Sequence, residues 1–245
     1  MSVFEVKNLD FHLDGRKFYG EKALNFDIKF GEIVAVLGQN GVGKTTLVRL
    51  CLGFLRTKSG QIDINGKNIK NLSQKELFSL VAYIPQAKNH QVGLKVIDMV
   101  LLGLNLSILQ KPKEKDILKA ENILKELNIY HLRDKICANL SGGELQMVIL
   151  ARSLIKDPKI IILDEPESNL DFKNQVKLLE VLLSLKSQNK AILINTHYPQ
   201  NAKKIASKVL FLSRNEYLFG SNELINSENL SKFFEVEAEF FAGIC

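Results

Sequence analysis

Two hydrophobic periods divide this chain. Val3–Leu13 and Ala23–Phe30 alternate apolar with polar residues, most clearly in "ALNFDIKF". Such alternation predicts half-buried antiparallel strands. "EIVAVLG" (Glu32–Gly38), "VAYIPQ" (Val81–Gln86), "KIIILDE" (Lys159–Glu165) and "AILINTH" (Ala191–His197) are instead continuous apolar runs, the pattern of strands covered on both faces. "GQIDING" (Gly60–Gly66) reads as a short edge strand, and "VLFLSR" and "YLFG" as strands near the end. Helices are predicted from Lys44 to about Leu52, over roughly Asn174–Ser187, and over Ser227–Val236 with Ser227 as N-cap.

From about Ala87 to Pro158 the strand-like runs stop. In "KEKDILKAENILKELNI" the residues Ile117, Leu118, Ala120, Ile123, Leu124 and Leu127 fall on one helical stripe. The expected fold class is therefore α/β. Residues 1–86 and 159–245 form a core with a parallel sheet and an antiparallel β subdomain, residues 87–158 form a helical subdomain, and the whole is one domain. Alternating strand and helix imply right-handed crossovers.

Composition narrows the function classes only slightly. The 245 residues are 46% apolar and 24% charged, enough for a substantial core. The net charge is +6, but the basic residues are dispersed, and the cluster "KPKEK" (Lys111–Lys115) is interrupted by Glu114. That reads as a solvated surface, with no nucleic-acid partner expected. Cys51, Cys137 and Cys245 are few and widely spaced, which implies neither a disulfide framework nor a zinc site. "MSVFEVKNLDF" has no apolar signal region. The longest apolar stretch, Val96–Leu109, is too short to span a bilayer and is broken by Asp98 and Asn105.

The motifs say more. "GQNGVGKTT" comprises Gly38, Gln39, Asn40, Gly41, Val42, Gly43, Lys44, Thr45 and Thr46. It follows a buried strand and opens a helix, the context of a phosphate-binding loop. Its glycines let successive N–H groups point inward, Lys44 can reach the β- and γ-phosphates, and the Thr45 hydroxyl suits Mg²⁺. "IIILDEP" (Ile160–Pro166) delivers two carboxylates at a strand's C-terminal end, where open α/β sheets bind ligands. Asp164 can hold Mg²⁺ through water, and Glu165 can act as general base toward an attacking water. Gln86 and His197 also end apolar strands. Neighbouring strands would converge all of these on one γ-phosphate. The remaining histidines, His12, His90 and His131, lack such context.

The order of phosphate-binding loop, "LSGGE" (Leu140–Glu144), "LDEP", "SNLD" (Ser168–Asp171) and His197 resembles the ATP-binding subunit of ABC transporters over about Val3 to Phe234. "LSGG" is the most specific element, because simple P-loop kinases and GTPases lack it. The resemblance implies a P-loop ABC-type ATPase fold, ATP and Mg²⁺ as cofactors, and a head-to-tail dimer that sandwiches two ATPs. Ser141, Gly142, Gly143 and Glu144 would complete the partner copy's nucleotide site, and Asp171 would lie at the dimer seam. Gln86 would bind Mg²⁺ and sense the transmembrane permease, and His197 would hold the γ-phosphate and the attacking water. The expected location is peripheral, on the cytoplasmic face of the cell membrane.

Within that family, "VIDMVLLG" (Val96–Gly103) is similar to a run in importers of iron-siderophores, haem and cobalamin. Metal-chelate uptake, with a substrate-binding protein as indirect partner, is the expected function. Alternatives are a free zinc or manganese importer, an exporter, or a non-transport ATPase acting on nucleic acid. A P-loop kinase would not explain "LSGGE". Several positions depart from the family pattern. Leu145 and Met147 replace basic residues, suggesting a more buried helix face. Glu167 replaces the usual Thr and is expected to be a solvated side chain. The position of the adenine-stacking aromatic falls at Leu13, with Phe18 or Tyr19 as substitutes.

Overall fold

The computed structural model describes residues 2–13, 16–17, 19, 22–86, 93–104, 111–168 and 170–243. In chain order, the first half contains β1 (Ser2–Asp10), β2 (His12–Leu13), β3 (Arg16–Lys17), β4 (Leu24–Lys29), β5 (Ile33–Leu37), α1 (Lys44–Cys51), β6 (Ser59–Ile64), β7 (Lys67–Asn68), α2 (Gln74–Leu80) and β8 (Val81–Ile84). There follow α3 (Val96–Leu101), α4 (Glu114–Glu126), α5 (Gly142–Leu154), β9 (Ile160–Asp164) and α6 (Phe172–Ser187). The chain closes with β10 (Ala191–Asn195), α7 (Pro199–Ile205), β11 (Lys208–Leu212), β12 (Tyr217–Ser221) and α8 (Ser227–Phe234).

The core sheet has the order β12-β11-β5-β10-β9-β8, parallel except for the β11–β12 hairpin. A second sheet, β4-β1-β6-β7, is antiparallel. The continuous apolar runs have a direct physical cause. In β5, Val34 and Val36 join the core beneath the antiparallel sheet, while Ile33, Ala35 and Leu37 join the core on the opposite face. β9 splits the same way, with Ile160 and Ile162 on one side and Ile161 and Leu163 on the other. Both faces of each strand are dry, so polar residues appear only where a strand ends.

The helical region, α3 to α5, packs on the second core. α5 touches α3, α4 and β8, so most of its circumference is covered. Leu145 and Met147 are buried there, as the loss of basic residues suggested, and Gln146 is buried with them. Two expectations need correction. In α4, Ala120 and Leu124 are buried, but Leu118 is 57% exposed, because the neighbouring helices cover only a narrower stripe. α8 is capped by Asn226, whose side chain accepts from the Asn229 N–H, so Ser227 is the first helical residue and not the cap. Among the described residues no helix is long and apolar enough to cross a membrane.

Candidate functional site

Sheet order brings the motifs together. The chain leaves β5 into the phosphate-binding loop, β10 into Thr196–His197, β9 into Asp164–Glu165, and β8 toward Gln86. These four strands are consecutive neighbours and parallel, so all four exits lie along one edge of the sheet.

The loop itself depends on glycine. Gly38 has φ 150°, and a Cβ there would run into the Leu212 carbonyl at the end of β11. Gly43, the N-cap of α1, has φ 104°, a left-handed conformation that side chains disfavour. A cleft of about 230 Å³ is lined by Asn40, Gly41, Gly43, Lys44, Thr45, Thr46 and Glu165. Val42 is buried beneath it. Lys44 folds back, its Nζ donating to the Gly38 and Gln39 carbonyls at 2.8 Å each. Burial lowers its ammonium to about 8, against the opposing pull of the Glu165 and Asp164 charges. Gln39 Nε2 reaches away to the Phe234 carbonyl at 2.7 Å, tying the loop to the end of α8.

Asp164 is buried at the end of β9. Its Oδ1 accepts from Thr45 Oγ1 at 3.2 Å and from Asn195 Nδ2 at 2.5 Å. Burial raises its pKa in spite of both hydrogen bonds. The hydroxyl and carboxylate meeting here are hard oxygen donors of the kind Mg²⁺ takes. Asn195 also presents a buried Oδ1 with no partner among the described residues. The donor set therefore fits Mg²⁺. Gln86 is exposed just past β8 and makes no hydrogen bond to this group among the described residues.

Glu165 has φ 50°, unusual for a residue with a side chain. Its N–H is held by the Asn195 carbonyl at 2.9 Å, and its Oε1 meets His197 Nε2 at 2.5 Å. Glu167 departs from expectation. It is only 1% exposed, and its Oε1 accepts from Thr196 Oγ1 at 3.0 Å. The loop after β9 turns inward, closed by Ser168 N–H to Glu165 O and Leu170 N–H to Glu167 O, which carries this side chain under the site. Burial pushes the carboxyl up to about 7.

"LSGGE" lies elsewhere. Ser141 caps α5, with Ser141 Oγ accepting from Glu144 N–H at 3.2 Å and Glu144 Oε2 accepting from Ser141 N–H at 2.8 Å. The bond from the Ser141 backbone holds the Glu144 carboxyl below its ordinary range. Glu144 is thus occupied with its own helix end, and Ser141 and Gly142 are exposed. None of Ser141, Gly142, Gly143 or Glu144 lines the cleft at Lys44. A Cβ on Gly143 would strike the Asn174 side chain, so the motif packs against the start of α6. Asp171 is exposed and caps that helix through the Asn174 N–H at 2.8 Å.

Tyr19 does not present a ring for adenine. It is 1% exposed, and its hydroxyl donates to the Gly43 carbonyl at 3.0 Å, bracing the loop from beneath. Phe18 and the Leu13 side chain lie outside the described residues. Sequence reasoning missed Asn195, Thr196 and Asn174. The first two sit in "ILINTH", where polar residues interrupting an apolar run were the available signal.

Residues 22–168 match the family described as ABC transporter. The chain is 36% identical over 238 residues to the molybdate import ATP-binding protein MolC of Haemophilus influenzae, covering 96% of this chain and 88% of that protein. It is 35% identical over 243 residues to a probable iron chelatin transport ATP-binding protein of Helicobacter pylori, covering 97% and 94%. A solved structure described as a "metal-chelate type ABC transporter" in an inward-facing conformation superposes with a TM-score of 0.83 at 35% identity, covering 96% of this chain and 89% of that one.

Proposed function

The chain belongs to the ABC transporter family as an ATP-binding subunit, and on that premise we propose that it hydrolyses ATP to drive import of a metal chelate across a membrane. The observation that carries the ATPase reading is the row of four adjacent strand exits bearing the phosphate-binding loop, Glu165, His197 and Gln86. The backbone of Gly38–Thr46 would cradle the phosphates. Lys44 would turn from the loop carbonyls to the β- and γ-phosphates, whose charge would restore its full protonation. Thr45, Asp164 and Gln86 would hold Mg²⁺, with phosphates and water as further ligands. When bound, the metal would neutralise charge on the transferred group. Glu165 would take the proton of the attacking water, with His197 fixing its carboxylate and contacting the γ-phosphate.

That "LSGGE" does not line this chain's own cleft supports a dimer in which each copy completes the other's site. Ser141, Gly142 and Gly143 would then offer helix-terminal N–H groups to the partner's γ-phosphate, and Asp171 would sit at the seam. The assembly would lie on the cytoplasmic face of the membrane with permease subunits and, indirectly, a substrate-binding protein.

Glu165→Gln is expected to leave ATP affinity unchanged and to lower turnover by about 100-fold or more, measured as phosphate release beside nucleotide binding. A variant turning over at the wild-type rate would remove Glu165 as base. The cargo rests on the likeness to the metal-chelate type transporter and the iron chelatin relative. The molybdate relative favours an oxyanion as the second reading. ATPase assays of the co-purified permease complex, with ferric chelates, molybdate or free zinc supplied on the binding protein, separate these. Stimulation by molybdate or zinc alone would overturn the chelate.

A further inference from the structure

Glu167 is a buried acidic group that the proposed chemistry does not use, at a position where the family pattern has Thr. Its surroundings show what it does. The end of β9 with the loop after it and the end of β10 with the segment after it are laced together by four bonds. Asn195 Nδ2 donates to Asp164 at 2.5 Å, Glu165 N–H donates to Asn195 O at 2.9 Å, His197 Nε2 meets Glu165 Oε1 at 2.5 Å, and Thr196 Oγ1 donates to Glu167 Oε1 at 3.0 Å. The last has a particular consequence. The same Thr196 oxygen accepts the Tyr198 N–H at 3.1 Å. One hydroxyl therefore bonds on both sides of His197, and its proton must point to Glu167 for its lone pair to face Tyr198.

We infer that Glu167 is a positioning residue, which sets the direction of the Thr196 hydroxyl and so holds the backbone carrying His197 against Glu165. Thr196 is itself only 1% exposed, so no solvent can replace the lost acceptor. An apolar residue at 167 would leave the hydroxyl proton without an acceptor and free to turn, and the bond from the Tyr198 N–H would weaken whenever that proton swings toward it. The span of His197 would then relax relative to Glu165. Small displacements of this kind act on the chemical step and leave nucleotide binding alone, because the loop at Gly38–Thr46 and Lys44 is built on other strands. Thr196 N–H is also tied to the Val36 carbonyl of β5 at 3.2 Å, so the backbone at Thr196 stays in place while the turn beyond it loosens.

This inference rests on Glu165 and His197 acting in ATP hydrolysis, and the experiment separates the two. In the full-length chain, Glu167→Leu is expected to lower kcat about 10-fold while KM for ATP stays within about 2-fold. Glu167→Gln, whose amide oxygen accepts from Thr196 as the carboxyl does, should restore most of the loss. Thr196→Val removes that bond together with the acceptor of the Tyr198 N–H, and the Glu167→Leu/Thr196→Val double variant should lose no more than Thr196→Val alone. Unchanged kcat in Glu167→Leu, absence of rescue by Gln, a matching rise in KM, or additive losses in the double variant would each overturn the positioning role. If Glu167→Leu does not fold, Glu167→Met, which nearly keeps the volume and lacks the acceptor, decides by its kcat against KM. If Glu165→Gln turned over normally, the catalytic reading would fail instead.

Discussion

A carboxyl whose pKa is raised by burial makes a protein's stability depend on pH, and Glu167 is such a group. Unfolded, its pKa returns to the ordinary value near 4.5, whereas folded it is pushed up to about 7 by burial. Below the unfolded value both states carry the proton, and the group has no effect. Between about 4.5 and 7 the folded state holds a proton that the unfolded state has lost, so stability falls as pH rises through that window. Above the folded value both states are ionised and the penalty is constant, on the order of 3 kcal/mol. Denaturant midpoints measured from pH 4.5 to 8 are expected to fall more steeply in wild type than in Glu167→Gln, which has no proton to exchange. Parallel curves would show that the group titrates normally in the fold. Glu165, two residues away, carries its own cost in a left-handed conformation, φ 50°. That backbone turn aims the Glu165 side chain at His197 while sending Glu167 inward.

The helices and strands meet at positions where one atom decides the fit. "VIDMVLLG" ends in Gly103, and a Cβ there would collide with the Arg152 carbonyl and the Ile155 side chain at the end of α5. Gly103 is therefore where the turn after α3 touches α5 backbone to backbone. Gly103→Ala is expected to cost about 2 kcal/mol or more by forcing these elements apart, read as a lower thermal midpoint. Catalytic parameters at permissive temperature should change less than in Glu165→Gln, because Gly103 does not line the cleft. A midpoint within a degree of wild type would show that the contact yields. The interior course of α5 explains its sequence as well. Basic residues at 145 and 147 would have to bring charge into the space against α3, α4 and β8, where Leu145 and Met147 are buried.

At the scale of the whole molecule, "LSGGE" does not line the cleft of its own phosphate-binding loop, and a second copy would be needed to bring one to the other. With hydrolysis blocked by Glu165→Gln, ATP and Mg²⁺ are expected to shift the protein from monomer to dimer in sedimentation. Adding Ser141→Arg should prevent the shift without weakening ATP binding to the monomer. A monomer at saturating ATP, or a dimer indifferent to Ser141→Arg, would rule out the sandwich. The local patterns were enough to read the strands, the loop at Gly38–Thr46 and the Asp164–Glu165 and His197 strand ends, because each is a short-range pattern of burial and backbone need. The sheet order, which makes those strand ends neighbours, is a long-range property that no local pattern carries. The sequence could not say which polar residues the fold would bury. Glu167 read as a surface acid and Tyr19 as one of the candidates, with Leu13 and Phe18, for the adenine contact, and both are sealed inside, one bonded to Thr196 and one to Gly43. Their partners lie 29 and 24 residues away. Period and propensity act over a few residues, whereas burial of a single side chain is set by what the rest of the chain packs against it.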